Sequence, residues 1–301
     1  MFVTDLAKVS DVATLTNKAT GRSRRFCNLF LFFLLTSYGA LSPWLFYWLL
    51  EFSPTKTTSY AEVMVSGMKP ENVFFNVAAS GLKLHGWYFE KPGAKKVVLI
   101  HHGQGANIQL YTIPTVETFI NAGCSVFIYD YEGFGMSEGF PSHEALRRDS
   151  EAAFAYLVQT RNFKPKQIVH CGLSIGTGVA CGLAAERECA GIILLSPYTS
   201  LSKIAKRHLP HLRMYPDFMF PQPDFGADML VANPSVPVLA IHGELDPLLP
   251  VSGAEELMVV AKGYKRLVRV PGGNHIGGLG GDVNNPASGG GIAKQFLDRL
   301  P

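Results

Sequence analysis

Beyond residue 70, short apolar runs recur with almost no polar alternation inside them: L-K-L-H-G-W-Y-F at 82–89, V-V-L-I-H-H at 97–102, S-V-F-I-Y-D at 125–130, Q-I-V-H-C at 167–171, G-I-I-L-L-S at 191–196, V-L-A-I-H at 238–242 and L-V-R-V at 267–270. Consecutive apolar residues suit strands buried on both faces, as in a parallel sheet covered by helices. The intervening segments supply those helices. Residues 145–160 place Ala145, Leu146, Ala152, Ala153, Tyr156 and Leu157 at near-helical spacing, and 174–186 are rich in small helix-tolerant residues. Strand and helix alternate, which defines the α/β class. The runs at 73–78 and 82–89 are joined only by a Ser80-Gly81 turn and predict an antiparallel hairpin.

A different pattern holds near the N-terminus. Residues 26–50, F-C-N-L-F-L-F-F-L-L-T-S-Y-G-A-L-S-P-W-L-F-Y-W-L-L, carry no charge. As a helix rising ~1.5 Å per residue they exceed the ~30 Å hydrocarbon core of a bilayer. A cleaved signal peptide is the rival reading, with small residues at Ser37, Gly39 and Ala40, but the run continues to Leu50, past where a signal core should stop. The segment is expected to be one transmembrane anchor, with Trp44, Tyr47 and Trp48 at headgroup level and Pro43 just before them. The domain plan that follows is a polar tail at 1–25, the anchor at 26–50, a linker at 51–69 and a catalytic domain at 70–301. Lys8, Lys18, Arg22, Arg24 and Arg25 precede the anchor, whereas Lys56 and Lys69 follow it, so the positive-inside rule puts the N-terminus in the cytoplasm and the catalytic domain across the membrane.

Charge adds little. The 301 residues hold 27 Lys+Arg against 24 Asp+Glu, a net charge of +3 that offers no footprint for a nucleic-acid partner. Five cysteines, Cys27, Cys124, Cys171, Cys181 and Cys189, show neither metal-ligand spacing nor a disulfide framework, and read as small buried hydrophobes.

The chemistry sits at the ends of the apolar runs. Q-I-V-H-C is followed at once by G-L-S-I-G, Gly172 to Gly176, and then by a small-residue helix. A serine at such a strand-to-helix turn needs flanking glycines because neighbouring backbone comes too close for side chains, and the turn exposes the Ser174 hydroxyl. A serine hydroxyl requires a base and an orienting carboxylate to become nucleophilic. I-H-G-E-L-D-P puts Asp246 just past one predicted strand, and V-P-G-G-N-H puts His275 just past the next. Glu244, on the same loop as Asp246, is the rival acid. Of the other histidines, His85, His170 and His242 fall within predicted strands and read as structural. After V-V-L-I-H-H, the loop G-Q-G-A-N can present backbone N–H groups to an oxyanion, the expected donors being those of Gln104 and Ile175.

In this order H-H-G-Q-G-A-N, Y-D-Y-E-G-F-G-M-S-E-G, G-L-S-I-G-T-G, S-P-Y-T-S-L, H-G-E-L-D-P-L-L-P and G-G-N-H resemble the alpha/beta-hydrolase superfamily over residues 70–300. Within it the chain is similar to the thinly capped, often membrane-anchored branch of lysophospholipid lipases, monoacylglycerol lipases and protein depalmitoylases. The resemblance implies an alpha/beta-hydrolase fold, mostly parallel with helices on both faces, and a serine hydrolase acting on an acyl ester or thioester without cofactor or metal, the alternatives being a serine peptidase of the same fold or a non-catalytic binding protein built on it. Two departures stand out: Gln104 replaces the family's usual Asn, and a glycine-laden loop at 276–291 follows His275. Only about 40 residues separate Ser196 from Val236, so the cap, at about 197–235, is short. Its Lys203, Lys206, Arg207 and Arg213 interleave with Leu201, Ile204, Leu209 and Leu212, which suits either a solvated helix face or a small acyl-binding flap at a membrane surface.

Overall fold

Side chains along a strand alternate between the two faces of a sheet, so each apolar run must feed two cores. The computed structural model, which describes residues 52–111, 115–226, 235–275 and 278–301, shows this directly. Its strands are β1 (Ser53–Pro54), β2 (Glu71–Asn76), β3 (Lys83–Phe89), β4 (Val97–His101), β5 (Gly105–Ala106), β6 (Ser125–Tyr129), β7 (Ile168–Leu173), β8 (Gly191–Leu195), β9 (Val238–Gly243) and β10 (Lys265–Val270). Val97, Leu99, Phe127 and Tyr129 pack on one face with Leu146, Ala153 and Leu157 of the helix His143–Gln159 and with Val179 and Leu183 of the helix Ile175–Glu186. Val98, Ile100, Val126 and Ile128 pack on the other with Phe119, Ile120 and the Ile292, Phe296 and Leu297 face of the helix Gly289–Arg299.

Eight strands form one sheet in the order β10-β9-β8-β7-β4-β6-β3-β2. β2 and β3 are the antiparallel hairpin, with Val73 opposite Gly86; β3 joins β6 antiparallel, and every other neighbour is parallel. Gly81 turns the hairpin at φ 72°, the left-handed region that a residue with a Cβ disfavours. The register of β4 with β7 pairs His101 with Gly172, which brings the loops after these two strands side by side at the carboxyl edge of the sheet.

Helix boundaries follow local chemistry. The Ser142 side chain accepts from Ala145 N at 3.0 Å and Ser288 accepts from Gly291 N at 3.0 Å, each satisfying an N-terminal donor that the helix cannot. In the cap, Ser200 starts the helix Leu201–His208, and Pro210, which has no N–H to continue an α-helix, opens a 3-10 turn at Pro210–Met214. The start of this cap is tied to Asp224 further along it. Asp224 accepts from Ser202 N (2.8 Å), Ser202 Oγ (2.8 Å) and Ser200 Oγ (2.7 Å).

The segment expected as a linker is docked on the domain from Phe52 onward. β1 pairs in parallel with β5, Phe52 meets the rings of Phe134 and His143 edge-on, and Val65 is buried. The tail 1–25 and the apolar run 26–50 lie outside the described residues, as do 227–234 of the cap and 276–277 of the glycine-rich loop. Among the described residues no helix is long and apolar enough to cross a membrane. Cys124, Cys171, Cys181 and Cys189 are buried free thiols; Cys27 is outside the described residues.

Candidate active site

Ser174 sits between β7 and its following helix at φ 52°, ψ −120°, a conformation that costs a non-glycine residue about 1–3 kcal/mol and persists only where neighbours impose it. The imposing contacts are all backbone-centred. Ser174 N donates to Leu195 O at 3.0 Å, and Ser174 O accepts from Thr177 N (2.9 Å) and Thr177 Oγ1 (2.6 Å). A Cβ at Gly172 would lie 2.5 Å from Thr177 Cα, and one at Gly176 would lie 2.6 Å from the His101 carbonyl carbon, so both flanking glycines are sterically required. The outcome is a half-buried Ser174 side chain at the start of the helix Ile175–Glu186, whose first N–H groups have no intrahelical acceptors.

The register pair His101–Gly172 also places the two expected oxyanion donors. Gln104, on the loop after β4, and Ile175, the first residue of the helix after β7, each lie three residues beyond it. The Gln104 loop is pinned from several sides: His102 Nδ1 donates to Gly103 O at 2.7 Å, Ser53 N to Gln104 O at 3.0 Å and Tyr111 OH to Gly105 O at 3.0 Å. Burial lowers the pKa of His102 to about 4, which keeps its ring neutral and its Nδ1 a single donor.

Asp246 and His275 lie on the loops after β9 and β10. His275 Nδ1 donates to Asp246 Oδ2 at 2.7 Å. The other carboxylate oxygen accepts from Leu248 N and Leu249 N, both at 2.9 Å. Burial pushes the Asp246 carboxyl up, but the His275 hydrogen bond, the two N–H groups and the charge of His275 outweigh it, and its pKa falls below the ordinary value. Glu244, the rival, has an exposed side chain; the carboxylate joined to the histidine is that of Asp246. His242, which read as structural, donates through Nε2 to Leu249 O at 3.0 Å and so braces the loop that carries Asp246.

Ser196 completes the link between the two halves. Its Oγ donates to His275 O at 2.5 Å, while the preceding residue, Leu195, holds Ser174 N, so β8 suspends both the serine and the histidine from consecutive residues. Sequence reasoning missed Ser196; the signal was its place just past the carboxyl end of β8, whereas His242 takes the structural role read for it. Among the hydrogen bonds of the described residues none joins Ser174 Oγ to His275. Such bonds tighten when substrate arrives.

Doubly flanked serine, Asp–His pair and pinned glycine loop at the carboxyl edge of a mostly parallel sheet define the class of protein. The chain belongs to the alpha/beta-hydrolase superfamily. Residues 92–225 match the family described as serine aminopeptidase, S33. The uncharacterized protein Rv2307c of Mycobacterium tuberculosis is 34% identical over 197 residues, covering 65% of this chain and 69% of that protein. Alpha/beta hydrolase domain-containing protein 17C of Xenopus tropicalis is 34% identical over 162 residues, 54% of this chain and 50% of that one. Among solved structures, the Pyrococcus furiosus esterase Pf2001 superposes with a TM-score of 0.65 at 19% identity, over 83% of this chain and 98% of the esterase, a likeness of fold.

Proposed function

We propose that this hydrolase is a serine esterase or thioesterase that works through an acyl-enzyme, with Ser174, His275 and Asp246 as its triad. The observation that carries the reading is the 2.7 Å bond from His275 to a buried carboxylate, on the sheet edge that also holds a strained, accessible serine. His275 Nδ1 is occupied by Asp246, which leaves Nε2 as the basic nitrogen. It takes the proton from Ser174 Oγ as the oxygen attacks the acyl carbonyl carbon. The carbonyl oxygen becomes an anion facing the N–H groups of Gln104 and Ile175, and loss of one such donor typically costs ~10²–10³ in kcat. The C–O or C–S bond then breaks, and His275 gives the proton to the leaving alcohol or thiol. Water repeats the sequence with the same base, releasing the acid and restoring the serine. These steps use only the side chains and main-chain N–H groups named, with water, and require no cofactor or metal.

The proposed substrate is an acyl lipid or acylated molecule met at a membrane. Support comes from the uncharged run at 26–50, from the short cap, and from its exposed Met214 and Phe218 among basic residues. Leu245 and Leu248, also exposed, flank Asp246. Each methylene buried in an apolar groove contributes ~0.8 kcal/mol, about fourfold in kcat/KM. With p-nitrophenyl esters from acetyl to palmitoyl, kept below aggregation, kcat/KM is expected to climb beyond butyryl before levelling; a steady decline would remove the lipid reading. A second reading, a serine aminopeptidase, draws on the description of the matched family. Faster turnover of aminoacyl p-nitroanilides than of any ester in the same series would establish it instead. We place the N-terminus in the cytoplasm and the catalytic domain opposite, from the lysine and arginine count on either side of the run.

A further inference from the structure

The segment between the apolar run and the hairpin is bonded to the loop that holds the oxyanion donor. An N–H group aims only as well as its peptide plane is fixed, and the plane bearing Gln104 N–H is set by what holds Gly103 O on one side and Gln104 O on the other. The first is held by His102 and the second by Ser53. Two residues further on, Thr55 N donates to Ala106 O at 2.8 Å, and Asn107 Nδ2 donates back to Thr55 O at 3.2 Å. Ala106 adopts φ 58°, a left-handed conformation unfavourable for a residue with a Cβ, so this loop would relax without such restraint.

The segment is itself moored. Thr57 N donates to Gly135 O (3.0 Å), Gly135 N to Thr55 O (3.1 Å) and Lys56 Nζ to Ser137 O (2.6 Å). The Tyr60 hydroxyl donates to Asp130, whose other oxygen accepts from Ile108 N at 2.9 Å, so one buried carboxylate grips both the segment and the chain leaving the oxyanion loop.

We propose that residues 52–60 are a strap that positions the oxyanion loop, with Ser53 and Thr55 as positioning residues acting through their main-chain N–H groups. The proposal rests on the reading of Gln104 N–H as an oxyanion donor. It makes the exit of the apolar run part of the architecture of the reaction centre rather than a passive tether.

Proline in place of Thr55 or Ser53 deletes the donating N–H, whereas Thr55→Val keeps it and alters only an exposed side chain. The full-length chain and the three variants are compared in two ways: amide hydrogen exchange of the peptide spanning 103–111, and kcat and KM with p-nitrophenyl butyrate. Thr55→Pro and Ser53→Pro are expected to raise exchange in 103–111 without raising it in β7 or β8. They should also lower kcat by about tenfold with KM within about twofold, a partial loss of one donor's ~10²–10³. Thr55→Val should match the unmodified chain in both. Unchanged exchange in 103–111 in both proline variants, or faster exchange with unchanged kcat, would overturn the strap. If Thr55→Pro loosens the whole sheet, Ser53→Pro decides. An unmodified chain inert toward the ester and toward a fluorophosphonate would instead sink the serine-hydrolase reading, and exchange would still decide the strap.

Discussion

Replacing Gly176 by alanine tests whether the close approach of β4 and the elbow helix sets the geometry of catalysis. The added Cβ would lie 2.6 Å from the His101 carbonyl carbon and 2.7 Å from His102 O, nearer still to His101 O, where ordinary contact begins at 3.4 Å. None of these is the free end of a side chain; all belong to the backbone of β4 and its loop. Relief therefore requires the helix start to recede by about 1 Å, and with it Ser174 and the N–H of Ile175, a misplacement of the size that costs ~10²-fold in rate. Overpacking of this kind also destabilises by ~1–3 kcal/mol, partly offset by the ~0.5–1 kcal/mol that alanine gains over glycine inside a helix. The assay is kcat per folded molecule on p-nitrophenyl butyrate beside the thermal midpoint. Gly253→Ala is the control: its Cβ meets nothing closer than 3.5 Å, so stability should rise slightly and kcat should not change. A folded Gly176→Ala protein with full kcat would refute the argument that the glycine is there for backbone proximity at the site.

Asp246→Asn should lower kcat by ~10⁴, because an amide leaves the imidazole without its carboxylate and in the wrong tautomer, while Glu244→Gln should leave it unchanged; the reverse outcome would reassign the acid. Acid stability offers an independent check. Burial holds His101 well below its ordinary pKa, His102 at about 4 and His170 at about 3, so these rings are neutral in the fold but protonate from about pH 6.5 downward once unfolded. The unfolded chain binds more protons across that window, so stability falls as pH drops from 6.5 toward 4, by up to ~1.4 kcal/mol per pH unit for each ring. Denaturant titrations at pH 7, 6 and 5 read the slope, and a flat profile would mean that the three rings are not held neutral together.

Much of this architecture was legible because it is written in period and punctuation. The strand predicted at 125–130 is observed at Ser125–Tyr129 and that at 238–242 at Val238–Gly243, since runs buried on both faces leave a continuous apolar trace. The Ser80-Gly81 turn announced the hairpin. The parts that escaped detection are made by main chain. β1 and β5 have two residues each and are held by N–H and C=O groups that every residue carries, so no side-chain pattern marks their pairing. For the same reason 51–69 read as a linker: many of its contacts run through the backbone of Ser53, Thr55 and Thr57, and its side-chain anchors, Lys56 to Ser137 O and Tyr60 to Asp130, reach partners far away in sequence. Over 201–213, where the basic and apolar residues suited either a solvated helix face or an acyl-binding flap, the helix ends at His208 and Pro210 opens a 3-10 turn.

The knot of Asp224 with Ser200 and Ser202 makes the cap segment 203–223 an exchangeable cassette. Its two stems meet at three hydrogen bonds of 2.7 to 2.8 Å, so whatever lies between them leaves and re-enters the domain at one fixed place. Closing a flexible loop costs only ~0.6 kcal/mol more for each doubling of its length. Insertions between 203 and 223 can therefore enlarge or reshape the cap at small cost to folding and without disturbing the sheet. Through such a gate a lineage, or a designer grafting a longer lid, can retune substrate range while the hydrolytic machinery stays as it is.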